Sequence, residues 1–132
     1  MQADIQKCLV LISGGVDSFA CAHFLLRRGY EVQGLFVDYG QAAKISEWKA
    51  ARKASTFLNI PIKQIKLGPL EGYKAGEIEG RNLFLVSVAL MNSGHEITAL
   101  ALGIHAGTEY YDCSTDFLNK TNELVQNCSN GE

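Results

Sequence analysis

Short, nearly all-apolar runs alternate along this chain with longer stretches in which apolar side chains return every third or fourth position. Residues 8–12 (Cys-Leu-Val-Leu-Ile) form the first run and stop abruptly at Ser13-Gly14-Gly15, as expected of a strand buried on both faces. Val16, Phe19, Ala20 and Phe24 then recur at helical spacing. Arg27 and Arg28 close that stretch where cations meet the negative helix end, and Gly29 offers a left-handed stop. Residues 32–37 predict a second strand ending at Asp38-Tyr39-Gly40. Ile45, Trp48, Ala51, Ala54 and Leu58 form the stripe of an amphipathic helix, with Lys44, Glu47, Lys49, Arg52 and Lys53 largely away from it. Past Pro61, residues 63–67 alternate as a third strand.

Four glycines (68, 72, 76 and 80) and Pro69 mark residues 68–80 as a loop. The apolar run 83–91 suits either a strand or a helix, but its length and the Ser93-Gly94 stop favour a buried helix. Residues 97–102 predict a fourth strand, and a last helical pattern runs through Phe117, Leu118, Leu124 and Val125. Strands alternating with helices imply βαβ units, hence an α/β domain with a parallel sheet. The loops at 13–18, 38–41 and 103–116 each follow a strand, so they should share the sheet edge where such folds bind ligands.

Composition narrows the class. A chain of 132 residues, 47% hydrophobic, can bury a core without metal or disulfide staples, and one domain over 1–132 is expected. Twelve Lys and Arg against fourteen Asp and Glu give a net charge of −2, which offers no electrostatic reason for a nucleic-acid or membrane partner. No apolar run approaches a membrane span and no secretory pattern opens the chain, so a cytoplasmic protein is expected. Cys8, Cys21, Cys113 and Cys128 include no CxxC pair, which argues against a zinc site within the chain. Cys8 and Cys21 read as core residues.

The segment Ser13-Gly14-Gly15-Val16-Asp17-Ser18 lies between a buried strand and a helix. Paired glycines allow close backbone approach, and the free amides and dipole of the following helix favour an anion at that point. The plain alternative is a tight turn with Asp17 or Ser18 as helix N-cap. It is neither a Walker loop nor a dinucleotide fingerprint. Asp17 repels phosphate unless it caps the helix or faces Mg²⁺. Asp38 and Gln41 suit either an ordinary turn or contacts with adenine or ribose. Arg81, alone, reads as a solvated cation or as a fork for a carboxylate or phosphate. His105 stands at a strand end within reach of a substrate. No base is identifiable beside Cys113, and Asp112 is the better ligand for amino and ring N–H groups.

These residues resemble a known family. Residues 13–18 match the SGGxDS signature of the PP-loop ATP pyrophosphatases, of the adenine nucleotide alpha-hydrolase-like group. Three further segments resemble the 7-cyano-7-deazaguanine synthases: Asp38-Tyr39-Gly40-Gln41, Gly80-Arg81-Asn82, and Tyr110-Tyr111-Asp112-Cys113 with Phe117 beyond. The resemblance implies a Rossmann-like (HUP-type) domain with helices on both sheet faces. It also implies an ATP-dependent carbon–nitrogen ligase that adenylates a carboxylate, releases pyrophosphate and AMP, and uses ammonia to form an amide and then a nitrile. Carried over by position, Ser13, Asp17 and Ser18 become catalytic. Ser13, Gly14, Gly15, Val16, Asp17, Ser18, Asp38, Gln41 and Gly103 become ATP-binding. Arg81, Asn82, Tyr110 and Asp112 become substrate-binding, with ATP and Mg²⁺ required and a homodimer left open.

The chain also departs from that pattern. Ala42 and Ala43 replace Arg and His, Ser114 replaces Arg, Tyr111 replaces Pro, and the loop before residue 80 is shorter. The family continues into a cysteine-rich zinc tail, so zinc is expected only if such a tail exists beyond residue 132. The departures also leave room for a relative acting on another carboxylate, as in defence, or for a nucleotide-binding module without turnover.

Overall fold

A computed structural model describes residues 4–68, 78–105 and 107–129. The elements run β1 (Lys7–Leu11), α1 (Val16–Arg27), β2 (Glu31–Asp38), α2 (Lys44–Leu58), β3 (Ile62–Lys66), α3 (Arg81–Asn92), β4 (Ile97–Leu102) and α4 (Thr115–Cys128), with a 3₁₀ turn at Tyr111–Cys113. The four strands pair in parallel in the order β3-β2-β1-β4. Val10 of β1 stands between Gly34 of β2 and Ala101 of β4. The alternation of strand and helix thus gives the expected α/β domain. The run 83–91 is helical, and the glycine-rich loop expected over 68–80 falls largely on 69–77, outside the described residues.

Strand pleat sorts the core into two layers. Cys8, Val10, Ile12, Val32 and Phe36 point to one face, where Ala22 of α1 and Ala51 of α2 pack on them. Leu9, Leu11, Leu35, Val37 and Tyr39 point to the other, against Val88 and Ala89 of α3. Period-two alternation feeding two apolar faces explains why β1 and β2 read as unbroken apolar runs. Helices therefore cover both faces, as expected.

The α2 stripe packs on the core through Trp48, Ala51 and Leu58, while Ile45, most of the α1 stripe and part of the α4 stripe are corrected. Val16 is 82% exposed, Phe24 and Ala20 are exposed, and Ile45 is 79% exposed. The sides that α1 and α2 bury carry small residues four apart, Ser18 and Ala22 on α1 and Ala51 and Ser55 on α2. Larger partners such as Cys21, Leu25, Leu26 and Trp48 pack around them half-buried. In α4, Phe117 and Thr121 are buried while Leu118 and Leu124 face outward. Cys8 is buried and unbridged, and burial, with a smaller contribution from Cys21 nearby, pushes its thiol up to about 11. No helix among the described residues is long and apolar enough to cross a membrane.

Candidate functional site

The chain winds from β1 to β2 and β3 on one side and places β4 on the other, so strand order reverses between β1 and β4. Crevices at such a switch point open at the carboxyl ends of the strands. Here a cleft of about 380 Å³ lies at that position. Its floor is Leu11, Leu35, Val37 and Leu102, and its polar groups come from the loops after β1, β2 and β4 and from the start of α3. The three loops expected to share an edge do so.

The wall at 13–18 is built locally. Gly15 is the N-cap of α1 and no side chain caps that helix, which corrects the alternative that Asp17 or Ser18 does so. The first-turn amides of Val16, Asp17 and Ser18 make no backbone hydrogen bond among the described residues. An uncapped helix start with free amides is the geometry that receives an anion. Ser18 is buried and braces the loop. Its hydroxyl donates to the Gly15 carbonyl (3.1 Å) and accepts from the Ser13 amide (3.3 Å). Ser13 Oγ lies 3.5 Å from Ser18 Oγ and accepts from the Gly15 amide at 3.4 Å.

Gly14 has φ +87°, and a Cβ there would sit 2.6 Å from the Glu47 carbonyl oxygen. The glycine is therefore needed where the loop rests on α2, a reason beyond ligand approach. Gly103 serves the same end from β4, since a Cβ there would meet the backbone of Asp17 and Ser18 at 2.5 Å. Asp17 lines the cleft with its carboxylate exposed, 4.0 Å from His105 Nε2. Gly14, Gly15 and Val16 turn their outer side to an apolar groove shared with Phe19, Ala54 and Phe57.

Asp38 and Gln41 shape their own loop. Asp38 Oδ1 accepts from the Gly40 amide at 3.0 Å, and Asp38 is not among the residues lining the cleft. Gln41 is buried in the cleft wall. Its Nε2 donates to the Val37 carbonyl and to Glu47 Oε2, both at 3.1 Å, and its Oε1 accepts from the Tyr39 amide at 2.9 Å. Both N–H groups of that amide are engaged within the protein.

The opposite wall is assembled across the chain. Asn82, 3% exposed, donates from Nδ2 to the Asp112 carbonyl at 3.0 Å, and its backbone amide donates to Asp112 Oδ2 at 3.4 Å. Gly80, the N-cap of α3, has no side chain to cap with, so Asp112 supplies the acceptor from thirty residues away. Asp112, expected to bind substrate, lies outside the cleft lining and is turned toward α3. Arg81, Tyr110 and Cys113 do line the cleft, and Arg81 makes no ion pair among the described residues. Beyond them, the Tyr111 hydroxyl donates to Asp116 Oδ2 at 2.6 Å, and Lys120 reaches the same oxygen at 2.9 Å. The Tyr111 bond first, and then Lys120, hold the Asp116 carboxyl below its usual range, while the same bond raises the Tyr111 phenol.

Three cleft residues were not singled out by the sequence: Tyr39, which meets Phe84 edge-on, Glu47, which holds Gln41, and Thr108. Tyr39 lies inside a recognisable motif, but no local pattern marks the other two.

The switch-point cleft and an uncapped loop at its rim define a Rossmann-like α/β protein. A family model described as "Queuosine biosynthesis protein QueC" matches residues 7–76, over half the chain. The chain belongs to this family, and with it to the PP-loop ATP pyrophosphatases. A 7-cyano-7-deazaguanine synthase of Pseudoalteromonas translucida is 29% identical over 92% of the chain and 66% of its own length. One of Sulfolobus acidocaldarius is 34% identical over 91% of the chain and 32% of its own length. The chain thus spans about two thirds of the first relative and a third of the second. A crystal structure described as a predicted subunit of tRNA methyltransferase from Methanocaldococcus jannaschii superposes with TM-score 0.61 at 17% identity, covering 92% of this chain and 65% of that one. That likeness concerns the fold.

Proposed function

We propose that this chain takes part in queuosine-type biosynthesis as an ATP-dependent, adenylate-forming carbon–nitrogen ligase, with 7-carboxy-7-deazaguanine as its carboxylate substrate and ammonia as the nitrogen source. One observation carries the reading. Among the described residues, the cleft has free amides at an uncapped helix start on one wall and Arg81 without an ion pair on the other. Two anions, a polyphosphate and a carboxylate, match those two positive ends. The family membership and the names of the relatives support the same reaction.

The residues then divide the work. The amides of 16–18, with the Ser13 hydroxyl, hold the departing pyrophosphate and offset its developing charge. Ser18 keeps that loop in shape, and Gly103 lets β4 close against it. Arg81 orients the substrate carboxylate, one oxygen of which attacks the α-phosphorus as the bond to pyrophosphate breaks. Ammonia then attacks the acyl carbon and AMP leaves, and a second activation converts the amide to the nitrile. Tyr110 offers a face to the heteroaromatic ring. The exposed Asp17 carboxylate, beside the phosphate loop, fits the mode in which Mg²⁺ is held by one or two carboxylates and substrate phosphates. Bound there, Mg²⁺ neutralises phosphate charge.

Pyrophosphate and AMP release from ATP tests the reading. Release should depend on 7-carboxy-7-deazaguanine and fall at least tenfold in Arg81→Ala, as expected for loss of a charged contact. ATP binding without release under any carboxylate would leave a nucleotide-binding module instead. Release with another carboxylate alone would move the substrate and keep the chemistry.

A further inference from the structure

Most side-chain polar groups buried in the cleft wall are already engaged. The Gln41 amide holds the 38–41 loop, the Asn82 amide holds Asp112, and the Ser18 hydroxyl holds Gly15. Thr108 is different. It lines the cleft on the segment after β4, two residues before Tyr110, and its Oγ1 is buried with no hydrogen-bond partner among the described residues. No other buried side-chain nitrogen or oxygen among the described residues is left in that state. A hydroxyl can donate and accept, and leaving both functions unmet away from water is unfavourable.

Threonine has a simple way out. Rotation about its first side-chain bond can carry the hydroxyl into another staggered position, the methyl moving on to the next. A bound molecule with a polar edge at this wall would give the rotated hydroxyl a partner. We propose that Thr108 is a substrate-binding residue whose hydroxyl turns into the cleft and bonds a ring-edge N–H or carbonyl of the heteroaromatic carboxylate held by Arg81. The inference rests on the ligase reading for its ligand, and on the orphaned hydroxyl for its residue. It assigns a selectivity contact as well, because an acid without a polar group at that edge would leave the hydroxyl unmet.

Thr108→Val and Thr108→Ser, with calorimetric titration of 7-carboxy-7-deazaguanine and of Mg–ATP, test it. Thr108→Val keeps the shape, so its melting temperature without ligand should equal or exceed that of the unaltered protein. Its affinity for the carboxylate should fall about three- to tenfold, the usual worth of one neutral hydrogen bond. Mg–ATP affinity should hold, and Thr108→Ser should keep the carboxylate affinity near that of the unaltered protein. Equal carboxylate binding by Thr108→Val overturns the inference alone. So does a lower melting temperature for the unliganded valine variant, which would reveal an internal partner, or a serine variant as weak as the valine one. If the unaltered protein fails to bind 7-carboxy-7-deazaguanine, the substrate reading falls and this assignment with it.

Discussion

The 13–18 wall of the cleft is one uninterrupted stretch, from the end of β1 into the first turn of α1, whereas the wall opposite joins residue 82 to residue 112. In the first, neighbouring residues set the geometry: Ser13, Gly15 and Ser18 bond one another within five positions. In the second, one buried asparagine and one aspartate hold the 3₁₀ turn against α3 across thirty positions. A local site is specified wherever strand, loop and helix follow in order. A site assembled at a distance exists only while its few fastening bonds do.

The largest effect is expected from breaking the local wall. Gly14→Val would force a branched side chain into φ +87° and push its Cβ to within 2.6 Å of the Glu47 carbonyl. Left-handed backbone costs roughly 1–2 kcal/mol and overpacking about 1–3 kcal/mol. A loss of about 2–5 kcal/mol in stability should therefore accompany loss of ATP binding. Denaturant unfolding and calorimetry read the two quantities. Stability near that of the unaltered protein with ATP binding intact would mean that the loop does not rest on α2 as described.

This contrast also explains what was legible in the sequence. Strands came out to within about two residues because β1 and β2 are buried on both faces and read as apolar runs. The 13–18 loop between strand and helix was legible because its context is contiguous. The α1 face and the first position of the α2 stripe differ from expectation, because large apolar residues such as Val16, Phe24 and Ile45 dominate the sequence pattern yet are exposed. Helices laid closely on a sheet bury small ones instead, and Ser18, Ala22 and Ser55 do not look like a core stripe. The role of Asp112 was hidden for another reason. Its partner is a backbone amide thirty residues away, and nothing in its neighbourhood distinguishes a ligand from a cap.

A middle effect sharpens the comparison from the other wall. Asp112→Asn keeps the shape but removes the charge that faces the start of α3. Loss of such a cap costs about 1 kcal/mol. The melting temperature should fall modestly, and binding of the carboxylate should weaken because Arg81 and Tyr110 lose their support. Mg–ATP binding, proposed for the opposite wall, should change far less. Unchanged stability with carboxylate binding alone abolished would restore Asp112 as a direct ligand.

The smallest effect concerns the outer fastening of that second wall, where Tyr111 bonds Asp116 on the exposed side of α4. Tyr111→Phe removes one solvent-exposed bond, so global stability should barely move. The sensitive observable is hydrogen exchange at the amides of Cys113 and Ser114, which bond back to Tyr110 and Tyr111. Their protection should drop in the variant at neutral pH. The difference from the unaltered protein should then close at both extremes of pH. The Asp116 carboxyl is held below its usual value of 3.8, so its contribution is present above that value and fades as pH falls through the lowered folded value. The Tyr111 phenol is raised above 10.0, so its contribution is present below that value and fades as pH climbs through the raised folded value. Equal protection in the variant and the unaltered protein at neutral pH would show that the ring packing on Phe117, with centroids 6.0 Å apart and kept by the phenylalanine, fastens the turn instead of the hydroxyl.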